Sequence, residues 1–175
     1  NVNSCTQERW NELFGPNGKI NKGSSWEVKP WMSNDNFLKG LFHSINRIEF
    51  AEKRGVQPSI NYFSDSYLSD PQNGVSYNST QQHLDAVAPY QTYINQDGEE
   101  VSQYGYSKAK AVEYFKKAIN ELEASGAIQS PKKLDIHIRW MYTTDIKEYG
   151  EDIARYFTEA FNAAGEASGY TLEVN

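Results

Sequence analysis

The sequence predicts an α/β domain, a mixed sheet with flanking helices. Three observations carry this reading. Apolar residues alternate over 134–142, recur at helical spacing over 146–164 and alternate again over 170–174, the pattern of a strand–helix–strand crossover. Two further amphipathic helices are legible upstream, near 33–51 and 107–125. A length of 175 residues suffices for one core, so 1–175 reads as a single domain.

From the start of the chain, Trp10, Leu13 and Phe14 fit one helical turn closed by Gly15-Pro16. Residues 17–25 are turn chemistry, and Trp26, Val28 and Pro30 read as a short extended piece. Cys5 is the only cysteine, so no internal disulfide forms. No apolar stretch precedes it as in a lipid anchor, and no histidine partner suggests a nucleophile; it reads as an ordinary residue.

The first helix starts at Ser33 or Asp35, both good N-caps. Its apolar face is Phe37, Leu38, Leu41, Phe42, Ile45 and Ile48, extending to Phe50 and Ala51, with Gly55 and Pro58 as the stop. Gly40 costs a helix about 1 kcal/mol against Ala, which suggests a close packing contact. His43 falls off the apolar face and is expected to be solvated or locally hydrogen-bonded.

Residues 56–106 are dense in Ser, Asn, Asp, Gly, Pro and Tyr and read as a long loop. Within it are a short helix over 80–87 closed by Pro89, and a hairpin turn at Asn95-Gln96-Asp97-Gly98. Asn78-Ser79-Thr80 matches a glycosylation sequon, a tripeptide common by chance. The next helix begins at Ser107 and buries Val112, Phe115, Ala118, Ile119 and Leu122, with Gly126 as its C′ residue. Its Lys- and Glu-rich outer face reads as solvated. Then comes the closing crossover: a strand with Leu134, Ile136, Ile138, Trp140 and Tyr142 on one face, a helix from Ile146 to the Gly165 and Gly169 stops, and a strand of Tyr170, Leu172 and Val174. A chain that stops on such a strand reads as a piece of something larger.

Composition removes several functions. With 17 basic against 23 acidic residues the net charge is −6, and no basic stripe is present to neutralise nucleic-acid phosphates. No apolar run approaches the roughly 18 to 20 residues that span a bilayer. The opening residues do not form a signal peptide, which leaves a cytosolic protein or a targeting segment outside this chain. His43, His83 and His137 are widely spaced, so no metal set appears, and no phosphate-binding, dinucleotide-binding or nucleophile-elbow motif is present. A carboxylate pair for glycoside chemistry has no flagged members; Asp65, Asp70 and Asp85 are ordinary loop residues. We therefore expect neither an enzyme nor a cofactor.

Ligands of open α/β sheets bind beyond the carboxyl ends of the strands, which directs attention to 142–147. The candidate ligand-binding residues are Tyr142, Thr143, Thr144, Asp145 and Lys147. Asp145 and Glu148 have capping-box spacing, either Thr can serve as N-cap, and free N–H groups at a helix start favour an anion. Lys147 in the first turn opposes the helix dipole but strengthens a carboxylate site; equally, Asp145 only caps and Lys147 points to water.

Three blocks, in order, resemble the family 5 extracellular solute-binding proteins, the oligopeptide- and dipeptide-binding components of ABC importers. The first is Pro30-Trp31-Met32-Ser33-Asn34-Asp35-Asn36-Phe37-Leu38-Lys39-Gly40-Leu41, continuing to Ser44-Ile45-Asn46-Arg47, which resembles a helix of the type "FR.AL..AIDR". Lys39, Gly40 and Asn46 depart from that pattern. The second, 106–126, resembles "Y....AK.LL.EAG", and the third, 134–175, resembles a strand, a "Y.T.D" turn, a helix and a strand. The resemblance covers roughly 26–175 and implies part of the second lobe of a periplasmic-binding-protein-like (class II) fold. It implies a peptide or other small polar solute as ligand, an ABC permease as partner, and an extracytoplasmic setting with a lipid anchor outside this chain. It also implies Lys147, or Ile146, near the ligand's carboxylate. The rival expectation is a carbohydrate-recognition module in which the Tyr-rich loop stacks sugars.

Overall fold

The computed structural model describes Glu8 and residues 29–61, 63–94, 98, 100–130, 132–138 and 144–175. The expectations for Trp10 through Val28, and for Arg139 through Thr143, lie outside these residues. Five helices are described: α1 (Asp35–Ser44), α2 (Arg47–Glu52), α3 (Gln81–Gln91), α4 (Lys108–Ala124) and α5 (Thr144–Gly165). The strands are β1 (Leu68–Asp70), β2 (Val75–Ser76), β3 (Thr92–Ile94), β4 (Glu100–Ser102), β5 (Lys132–Ile136) and β6 (Tyr170–Val174). No described helix is long and apolar enough to cross a membrane.

The closing crossover has the expected order of elements, but its first strand ends at Ile136, short of the expected 134–142. β5 and β6 pair in parallel with Leu134 opposite Leu172, and α5 connects them. Tyr170 and Leu172 are buried while Thr171 and Glu173 are exposed, the period-two pattern read from the sequence. Beyond β5, Ile138 donates its N–H to the Asn175 carbonyl (2.8 Å), and Asn175 donates to Ile136 (2.9 Å). Antiparallel pairing occurs separately, in β1–β2 and β3–β4, so the domain is mixed α/β while each described ladder has a single sense.

The core lies where α1, α4 and α5 meet the parallel pair. Phe37, Phe115 and Phe161, one from each helix and all fully buried, contact one another edge-to-face at 5.2 to 5.9 Å. Gly40 permits this: a Cβ there would meet the Phe115 ring at 2.5 Å. Trp31, in a 3-10 turn over Pro30–Ser33, closes the cluster and donates its indole N–H to the Asp135 carbonyl of β5 (3.0 Å). Pro30 thus opens a turn and does not end an extended piece, since its fixed φ suits a first helical position.

The predicted first helix is two. Ile45 is extended (ψ 111°), and Asn46 starts α2 as its N-cap, accepting from the Glu49 N–H. An Asn side chain that can bond the backbone three residues on competes with helix continuation, and here it prevails. Arg47 satisfies the frayed end by donating to the Phe42, Ile45 and Tyr104 carbonyls. His43 is buried and not solvated. It hydrogen-bonds the Gly105 carbonyl 62 residues away (2.7 Å) and stacks on Tyr114.

The long loop is also more ordered than expected. β3 and β4 pair as the arms of a hairpin with Gly98 at φ 79° between them, while Asn95, Gln96 and Asp97 of the expected turn lie outside the described residues. A second hairpin, β1–β2, turns through Asp70-Pro71-Gln72-Asn73-Gly74, where the Asp70 carboxylate accepts from the Gln72 and Asn73 N–H groups. α3 runs through Pro89 to Gln91; proline removes one backbone bond in what is already the last turn.

Candidate functional site

At the carboxyl end of the parallel pair, Ile138, Val174 and Asn175 face the first turns of α5 across a depression of about 220 Å³. Lys147, Gly150 and Glu151 form the helical wall. This is the position expected for a ligand site of an open α/β sheet. Its floor is apolar and its rim carries one cation and one anion.

Of the candidate residues, Tyr142 and Thr143 lie outside the described residues. The backbones of Thr144 and Asp145 open α5, while their capping roles rest on side chains outside the described set. Lys147 is exposed and lies 3.6 Å from Glu151 one turn on. Such an exposed pair contributes only about 0.3 to 0.5 kcal/mol, so Lys147 is easily recruited by a stronger anion. Among the described residues no group of His, Cys, Asp and Glu could hold a metal ion.

Away from this rim, α5 is held by an ionic cluster that sequence reasoning did not find. Asp152 accepts from Lys53 and Arg54 (both 2.9 Å) and from Arg155 (3.3 Å), and Arg155 also reaches Glu49 (2.7 Å). Hydrogen bonding from Lys53, with Arg54 and Arg155 adding to it against the opposing effect of burial, holds the Asp152 carboxyl down at about 2. Burial pushes Glu49 up, but the bonds from Lys53 and Arg155 outweigh it and leave its pKa lowered. The Arg54 guanidinium lies over the rings of Phe50 (3.8 Å) and Tyr149 (4.2 Å). The cluster fastens α2 to α5 and so fixes the helix that walls the depression. Its only sequence signal is acidic and basic residues on facing helices, which pairs them only once the packing is known.

A third feature lies in the former loop. Phe63 contacts Tyr67 and Tyr77 edge-to-face at 5.6 and 5.0 Å, and all three are substantially exposed. The buried His83 anchors this cluster from α3 through a 2.6 Å contact with Asn61. Asn78 donates to Asp65 (2.6 Å), so the amide of the sequon is already engaged.

No protein-family model, no curated protein and no solved structure matches this chain.

Proposed function

We propose that the chain is the ligand-binding second lobe of an ABC-transporter substrate-binding protein, a single domain that holds a peptide or another small polar solute and does no chemistry on it. The observation that supports this reading is the depression at the carboxyl ends of the parallel pair, walled by Lys147 and Glu151. It adjoins the segment that the family 5 resemblance assigns to the ligand's carboxylate. On the same reading the protein works outside the cytoplasm, is tethered by a lipid anchor outside this chain, and delivers its ligand to a membrane permease by closure of two lobes. A shallow wall contacts only one side of a ligand, so the lobe alone binds weakly.

Calorimetry of the 175-residue chain against a pool of short peptides is expected to show no micromolar binding, whereas the product of the parent reading frame binds them. Micromolar binding by the chain alone, or a parent reading frame no longer than this chain, overturns the proposal.

A carbohydrate-recognition reading is favoured by one observation, the exposed Phe63–Tyr67–Tyr77 rings beside Asp65 and Asn78. Oligosaccharide titration followed by tyrosine fluorescence tests it. A saturable change that Tyr67→Ala abolishes supports sugar stacking, and no change removes it.

A further inference from the structure

A groove of about 510 Å³ runs between α1 and α3. Leu38, Phe42, Ile60, Val87 and Tyr90 make it apolar, and His43 is the polar side chain set among them. Its volume lies in the range of small-ligand sites, and it is open to solvent along Leu38 and Tyr90.

His43 is 94% buried, and its tautomer follows from its partner. The Gly105 carbonyl can only accept, so Nδ1 carries the proton and Nε2 is left as a bare acceptor. The two ring nitrogens project to opposite sides, so Nε2 faces away from Gly105. Among the described residues no hydrogen bond reaches it. The ring cannot easily turn to find another partner. It is clamped on Tyr114 at 5.5 Å, nearly parallel, and the Gly105 corner is seated on Phe42 so closely that a Cβ there would meet the Phe42 ring at 2.6 Å.

We infer that this groove is a second binding site, independent of the strand-end depression, for a planar apolar ring carrying one O–H or N–H that it donates to His43 Nε2. Phenols and indoles are the class that fits. The slot supplies apolar walls and one acceptor open to it, and a seated ligand without a donor covers that acceptor and leaves it unsatisfied. Charged rings fit less well, because Asp35 and Lys39 at the rim present both signs.

The imidazole must be neutral to accept. Burial lowers its pKa below the ordinary 6.5, Gly105 opposes that, and Lys110 and Arg47 reinforce it. The titratable and charged groups around the ring are Lys110 and Tyr114 on α4, Arg47 at the head of α2, Tyr90 on α3, and Asp35 and Lys39 on α1.

The test titrates the whole chain with p-cresol, indole and p-methylanisole, which has the shape of p-cresol without its donor, while NMR follows the His43 ring nitrogens. Expected are saturable shifts at Nε2 with p-cresol and indole, and binding about tenfold weaker for p-methylanisole. Acidification through the His43 pKa should weaken p-cresol binding and leave p-methylanisole unaffected. His43→Phe should equalise the probes. Should that variant not fold, Leu38→Asp, at an exposed rim position, should abolish binding with the circular dichroism spectrum unchanged. No saturable shift, equal affinity for p-cresol and p-methylanisole, or shifts away from the groove would overturn the inference.

Discussion

Between α1, α4 and α5, three phenylalanines meet at 5.2 to 5.9 Å with no surface exposed. Beside β1 and α3, Phe63, Tyr67 and Tyr77 meet at 5.0 to 5.6 Å in the same edge-to-face manner, with 38 to 60% of each residue exposed. The ring geometry is alike in both, and worth about 0.5 to 1.5 kcal/mol per pair. What differs is the apolar area removed from water, and this makes one cluster the core and the other a surface.

Truncation should show the contrast most strongly. Phe115→Ala leaves a cavity at the meeting of three helices and should cost about 3 to 5 kcal/mol in denaturant unfolding. Gly40→Ala adds one methyl against the immobile Phe115 ring. It should cost about 1 to 3 kcal/mol, even though alanine favours the helix. A stabilising Gly40→Ala would mean that α1 and α4 pack less closely than described.

The joints between regions should respond to pH in two separate windows. Asp152 has its pKa lowered from 3.8 to about 2, so its contribution is complete above 3.8 and is lost as pH falls through 2. Asp152→Asn should remove about 1 to 2 kcal/mol at neutral pH and flatten that part of the acid-unfolding curve. His43 is kept neutral in the fold, so its contribution is complete above 6.5 and declines below it, as the unfolded chain takes up the proton first. Unfolding midpoints measured for wild type and Asp152→Asn should differ by a constant amount across the upper window and converge as pH falls through the lower one. Phe63→Ala should have the smallest effect, about 0.5 to 1 kcal/mol. A loss as large as that of Phe115→Ala would show that the second cluster is a core in its own right.

The two regions were unequally legible in the sequence. α4, α5 and β6 were readable nearly to their ends, because each buries one continuous face and the spacing of Phe115, Ala118, Ile119 and Leu122, or of Tyr170 and Leu172, records it. β1–β2 was missed although Asp70-Pro71 and Asn73-Gly74 signal its turn; its strands are too short to show alternation. At the candidate site, the helix start and Lys147 were readable, while the depression beside them needed β6 to return alongside β5.

Local chemistry alone determined the Ser107 cap, the C′ glycine at Gly126 and a net charge of −6 with no basic stripe along the sequence, whereas the first helix is capped by Asn34, between the expected Ser33 and Asp35. Spacing along the chain sets which face of each element is apolar. Tertiary structure alone decided that His43 is buried against a corner 62 residues away, and that Asp152 on α5 meets Lys53 and Arg54 of the turn after α2. Each depends on contacts between residues distant in sequence, whose energies exist only once the chain has brought them together.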